Sequence, residues 1–87
     1  MGVVKIVVEI PFDRYYRLLG ILEPTSQEAE ILKSGILDPD PQHAATVGTV
    51  SISCDVQEAT RLLDCAMRLY PEAGPDFQKA IDLSREL

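Results

Sequence analysis

Residues 47–70, VGTVSISCDVQEATRLLDCAMRLY, predict a strand that runs directly into a helix. Apolar and polar side chains alternate in the first part of this stretch, which is the pattern of a half-buried β-strand. Asp55, followed three residues later by Glu58, forms the capping box that begins a helix, and the apolar spacing extends that helix to about Tyr70. The residues expected on the inward face of the strand are Val50, Ile52 and Cys54.

The first half of the chain repeats this pattern. Residues 3–10 alternate in the same way and predict another half-buried strand, which Pro11 ends. A long helix is expected from Phe12 to about Leu22, because Pro24 disfavours its continuation.

Each half also predicts a shorter second helix. In the first half, Thr25 and Glu28 form a capping box, and Gly35 is a natural C-terminal stop. In the second half, Pro71 ends the long helix, and the turn at residues 74–75 leads into a last helix. Both halves therefore contain one strand, one long helix and one shorter helix.

These elements predict an α+β fold made of a single domain, residues 1–87. The order is a tandem β-α-α-β-α-α, with two short strands packed against helices on one face. An offset of about 44 residues places strand on strand and helix on helix, which indicates an internal duplication. The two repeats are residues 3–37 and 47–87, and residues 38–46 form the turn-rich loop that joins them.

Two features of the pattern indicate self-association. An isolated pair of strands is marginally stable in water, and its unpaired edges favour further strand pairing. The two long helices are apolar around more of their circumference than the roughly 100° that a surface helix needs. The sheet would be extended by dimerisation, and the second copy would also cover these helix faces. We therefore predict a homodimer.

Composition restricts the partners and the compartment. The chain carries 14 acidic and 8 basic residues and a net charge of −6, which argues against nucleic acid as a partner. No apolar stretch is long enough to span a bilayer, and the N-terminus lacks the pattern of a signal peptide, so we expect a cytoplasmic protein without membrane contact. Cys54 and Cys65 are separated by roughly 15 Å of mostly helical rise, which predicts two free thiols.

Few residues offer catalytic chemistry. His43 lies near Asp38 and Asp40, but the prolines of this loop are expected to hold the segment extended, so that the side chains diverge instead of forming a metal site. A Cys54–His43 dyad is conceivable, yet the inward parity of Cys54 favours a core position. The chain has no glycine-rich phosphate loop and no zinc-ligand spacing. We therefore expect no enzyme, no cofactor and no metal.

The function predicted from these observations is that of a small non-catalytic protein–protein interaction module. It would act as an inhibitor or adaptor that occludes a cytosolic partner, a physical character that also suits a phage or mobile-element product. The alternative is a small-molecule-sensing regulatory domain with a pocket near Cys54. The candidate interface residues are Tyr15, Tyr16 and Tyr70 as aromatic anchors, Val3, Lys5 and Val7 on the outer strand face for strand addition, and Arg61 and Arg68 on the polar stripe of the second long helix.

Overall fold

The part of the chain that the structure describes contains two strands and five α-helices. The computed structural model describes residues 5–37 and 41–85. In chain order the elements are β1 (Lys5–Pro11), α1 (Phe12–Ile21), α2 (Gln27–Ser34), α3 (Pro41–Val47), β2 (Thr49–Asp55), α4 (Val56–Leu69), a 3₁₀ turn (Pro71–Ala73) and α5 (Gly74–Arg85).

β1 and β2 form an antiparallel sheet in which Val8 lies opposite Ile52 and Lys5 lies opposite Asp55. Every second residue of each strand is buried, because α4 and α5 pack on one face of the sheet and leave the other face to solvent. The α+β class is confirmed, and so are the inward positions in β2. This strand begins at Thr49, two residues later than predicted, since Val47 belongs to α3.

A short segment covers the outer edge of β2. The Ser53 N–H donates to the Gly35 carbonyl at 2.7 Å, and the Leu37 N–H donates to the Ser51 carbonyl at 3.0 Å. Ile36 lies between these bonds in an antiparallel bridge with Ile52. Residues 35–37 therefore act as a minimal third strand on this side of the sheet.

The core lies between the sheet and the helices. Tyr15 is part of it, and its hydroxyl donates to the Leu32 carbonyl at 3.0 Å, which satisfies the one polar group that this ring buries. No charged or polar residue is buried among the described residues. The largest fully buried side chains are Phe77, Ile10, Leu18, Leu32, Ile52, Leu62, Val8 and Cys54.

The region predicted as a loop over residues 38–46 contains helix α3, so the observed order has one more helix than predicted. The expectation that prolines hold this segment extended is wrong at Pro41, because proline is also well suited to the first turn of a helix. Gly48 follows with φ of 85°, a left-handed conformation that glycine adopts without strain. The duplication remains a prediction, and α3 has no counterpart in the second half.

Helix starts follow local side-chain chemistry. In α4 the predicted capping box is confirmed, since the Glu58 N–H donates to Asp55 Oδ1 at 2.7 Å and the Asp55 N–H donates to Glu58 Oε1 at 3.0 Å. In α2 the cap is Ser26 instead of Thr25, and its Oγ accepts from the Ala29 N–H at 3.2 Å. Serine and threonine are both good N-caps, so the sequence located this start only to within one residue.

Candidate functional site

Within residues 5–37 and 41–85, one edge of the sheet is bonded to another segment and the other edge is open. Backbone groups of successive strand residues point alternately to the two sides of the strand. Ser51 and Ser53 bond to Leu37 and Gly35, so their groups point away from β1. The intervening residues of β2 therefore bond to β1, and the remaining side of β1 is the open edge.

Three residues of β1 direct their backbone groups to this open edge. The even-numbered residues of β1 lie opposite the residues of β2 that bond to β1, so their N–H and C=O groups point toward β2. Lys5, Val7 and Glu9 alternate with them, so their N–H and C=O groups point outward, away from β2. No hydrogen bond within residues 5–37 and 41–85 uses these outward groups. An edge of this kind is a template for pairing with another strand.

Helix α5 lies beside the open edge and forms a groove with it. The groove has a volume of about 380 Å³. Asp76, Lys79, Ala80 and Leu83 of α5 share successive turns of one helix face, which explains why they line it together. The residues of the sheet that line the groove are Val7, Glu9, Pro11 and Thr49.

Both apolar and charged side chains are exposed at the groove and the open edge. Val7 is 49% exposed and Leu83 is 53% exposed, so two aliphatic side chains remain accessible at the site. Lys5 and Glu9 are exposed on the same face of β1 as Val7, one on each side of it. The Nζ of Lys5 lies 3.7 Å from Glu58 Oε1, an ion pair in which both side chains are accessible to solvent. The edge therefore combines unpaired backbone groups, an aliphatic centre and two opposite charges.

The predicted aromatic anchors lie away from this edge, on α1 and after α4. Tyr15 is buried in the core, where burial and the nearby Tyr16 hydroxyl raise its pKa, so its ring does not reach the surface. Tyr16 is 39% exposed and packs against Phe12, with ring centroids 4.8 Å apart. Tyr70 is partly buried against the core, and its hydroxyl donates to a carboxylate oxygen of Glu72 at 3.3 Å.

The two predicted arginines differ in what they contact. Arg61 forms a hydrogen bond to the side chain of Gln27, and its Nε lies 3.3 Å from Glu28 Oε1, so it joins α4 to α2. Arg68 is paired with Asp64 on the same helix at 3.5 Å, the predicted i,i+4 contact on an exposed face. Val3, the remaining interface candidate, lies outside the described residues.

Cys54 has the environment of a structural thiol. It is 1% exposed, and burial, followed by the nearby carboxylates of Glu58 and Asp55, raises its pKa to about 11. A thiol must ionise to act as a nucleophile, so this position disfavours thiol chemistry. Cys65 is also buried and free, and burial is the main cause of its raised pKa.

His43 is exposed on α3, while Asp38 and Asp40, its suggested companions, lie outside the described residues. Across residues 5–37 and 41–85 no cluster of three or more metal-ligating side chains is present. No helix in this part of the chain combines the length and apolar character required to cross a membrane.

The sequence indicated part of this site. Lys5 and Val7 were predicted for strand addition because they lie on the outer face of a strand. Glu9 shares that face but was not among the candidates, and Leu83 was missed because no local signal shows that α5 packs beside β1. Comparison of the chain with protein-family models, with curated proteins and with solved structures gives no significant match.

Proposed function

We propose that this chain is a non-catalytic protein–protein interaction module that binds an extended protein segment along the open edge of β1. The segment would become an additional strand of the sheet and be covered in the groove beside α5. A module that covers part of another protein in this way acts as an inhibitor or adaptor. The proposal includes a homodimeric state. It also includes a cytoplasmic location, which the two free thiols support, because a reducing compartment keeps thiols unpaired.

The observation that carries the proposal is the outward backbone of Lys5, Val7 and Glu9, which no group in the described part of the chain bonds, beside an accessible groove. In strand addition, main-chain hydrogen bonds provide affinity, and pockets for alternate side chains provide specificity. Both parts are present here, since the outward N–H and C=O groups lie next to the aliphatic side chains of Val7 and Leu83.

The test removes one edge donor. Val7→Pro deletes the outward N–H, and proline is tolerated on an edge strand whose N–H does not bond within the sheet. The matched control is Val7→Thr, which keeps the N–H and a β-branched side chain. We expect proteins captured from a host extract by the wild type and by Val7→Thr to be lost with Val7→Pro, while all three melt cooperatively by circular dichroism.

Hydrogen exchange provides a second measurement on the same complexes. The amides of Val7 and Glu9 should exchange slowly when the edge is paired and rapidly in the free chain. Two results would together show that the edge is not the binding surface. Val7→Pro would capture the same proteins as the wild type, and in the wild-type complex the amides of Val7 and Glu9 would exchange as fast as in the free chain.

The alternative function, small-molecule sensing near Cys54, has less support from the geometry. Cys54 is almost completely buried, so a ligand site at this residue would require the core to open first. Cys54 does not line the groove beside α5. A metabolite screen by thermal shift separates the two functions, because a ligand that binds only the folded chain raises its melting temperature.

A further inference from the structure

We propose that the segment added to the open edge is β1 of a second copy of this chain, antiparallel, with Val7 facing Val7 across a twofold axis. This inference rests on the proposed function, because it names the occupant of the same edge. A dimer paired in this way must open before the edge can bind a segment of another protein. The result is a continuous four-stranded sheet in which the two copies contribute equally.

The charges on β1 select this register. A twofold axis at Val7 places Lys5 of each copy opposite Glu9 of the other. An axis at Lys5 or at Glu9 places like charges opposite each other, which is destabilising in a strand pair. An axis at Ile6 or Val8 leaves Lys5 or Glu9 opposite a valine. Of these five registers, only the one centred on Val7 pairs both charges with opposite charges.

The backbone geometry is compatible with the same register. Lys5, Val7 and Glu9 all direct their N–H and C=O groups outward, and in this register they face only one another. Residues that face each other through outward groups exchange two N–H···O bonds per pair. The pairing therefore uses every outward N–H among the described residues of β1, since Pro11 has none.

The assembly also closes. An isologous interface uses the same patch on both copies, so pairing stops at two copies when no other edge is free. Residues 35–37 already cover the outer edge of β2. A β1–β1 dimer therefore leaves no open edge on β1, while β2 is already bonded at Ser51 and Ser53, and it buries Val7, which is half exposed in the single copy.

The first experiment exchanges the charges. We expect Lys5→Glu and Glu9→Lys, made singly, each to weaken dimerisation by about tenfold or more in sedimentation equilibrium, since each creates two like-charge pairs. The double variant Lys5→Glu/Glu9→Lys restores opposite pairs and should dimerise as the wild type does. The matched controls are Lys33→Glu and Glu23→Lys, which change the net charge equally at exposed positions outside β1.

The double variant also removes a confounding contact. Lys5 pairs with Glu58 within its own chain, and Lys5→Glu loses that pair in both the single and the double variant. Recovery of the dimer in the double variant therefore reports on the contact between copies.

A second experiment is independent of charge. Directly facing residues in such a pair have Cα atoms about 5.5 Å apart, within the range that a disulfide bridges. Val7→Cys should therefore cross-link two copies under mild oxidation. Glu9→Cys should not, because the two copies of this position lie about 14 Å apart, four residues along the strand. Cys54 and Cys65 are buried and do not compete.

The outcomes are distinguishable. Dimers that are equally strong in the wild type and in both single charge variants, or cross-linking at residue 9 instead of residue 7, would overturn the proposed pairing. A wild type that remains monomeric at high concentration would also overturn it. In that case, Val7-dependent capture of a different protein would still support the proposed function, and the added strand would belong to that protein.

Discussion

At the scale of single residues, the thiol of Cys54 shows how burial controls chemistry. Its pKa is raised from 9.0 to about 11, mainly because the charged form would lose its water. The unfolded chain therefore releases this proton at a lower pH than the folded chain does. Between these two values the folded state binds more protons than the unfolded state, so stability should fall as the pH rises.

The variant Cys54→Ala tests this expectation. Between about pH 9 and pH 11 the wild type should lose up to about 2–3 kcal/mol of unfolding free energy relative to the variant. Tyr15 and Cys65 titrate in both proteins, so their effects cancel in the difference. Urea denaturation across this window provides the measurement. Parallel pH profiles for the two proteins would show that Cys54 titrates alike when folded and unfolded.

At the scale of elements, the bridge formed by residues 35–37 depends on a close approach at Gly35. A Cβ atom at this position would lie 2.5 Å from the Ser53 carbonyl oxygen and 2.9 Å from that of Ile31. Both neighbours are backbone atoms, which cannot move aside without breaking the bridge or the end of α2. Glycine is therefore required here by space and not by its backbone angle.

Gly35→Ala should destabilise the fold by about 1–3 kcal/mol, because the added methyl group forces the bridge away from β2. Gly20→Ala is the matched control, since nothing lies within 4 Å of a Cβ at this position of α1. The control should stabilise the chain by about 0.5–1 kcal/mol, since alanine favours a helix more than glycine does. Urea midpoints measure both changes, and equal midpoints would contradict the role assigned to Gly35.

The elements that the sequence predicted are those set by local chemistry. The alternation in β2 and the capping box at Asp55 are each contained within a few residues, and both are confirmed. Helix α3 was missed because Pro41 is compatible with both a helix start and an extended loop. The open edge could not be predicted, because it depends on where residues 35–37 and α5 pack, and these contacts join distant parts of the chain.

At the scale of the whole molecule, helix α4 exposes less apolar surface than the sequence predicted. The chain itself covers much of the apolar surface of α4, where Ala59, Leu62, Cys65 and Ala66 are buried. Val56, Met67 and Leu69 of the same helix remain exposed. The sequence predicted unusually broad apolar helix faces, whereas in the structure the surface with outward-pointing backbone groups is the open edge of β1.

Thermal stability should therefore depend on protein concentration. Dimer formation stabilises the folded state by mass action, so the melting temperature of the wild type should rise as the chain is concentrated. Lys5→Glu should show a weaker dependence over the same range, because its facing charges repel. Differential scanning calorimetry at several concentrations measures this effect, and a wild-type melting temperature independent of concentration would contradict it.

Both strands continue into long helices with no residue between them, since Pro11 is followed by α1 and Asp55 by α4. If β1 slipped along β2 by two residues, α1 would have to travel about 7 Å with it and leave the packing of Leu18 and Tyr15. The helices thus hold the strands in one alignment. The folded chain therefore keeps the same backbone groups pointing outward, because a shift in strand register would require the helices to leave their packing.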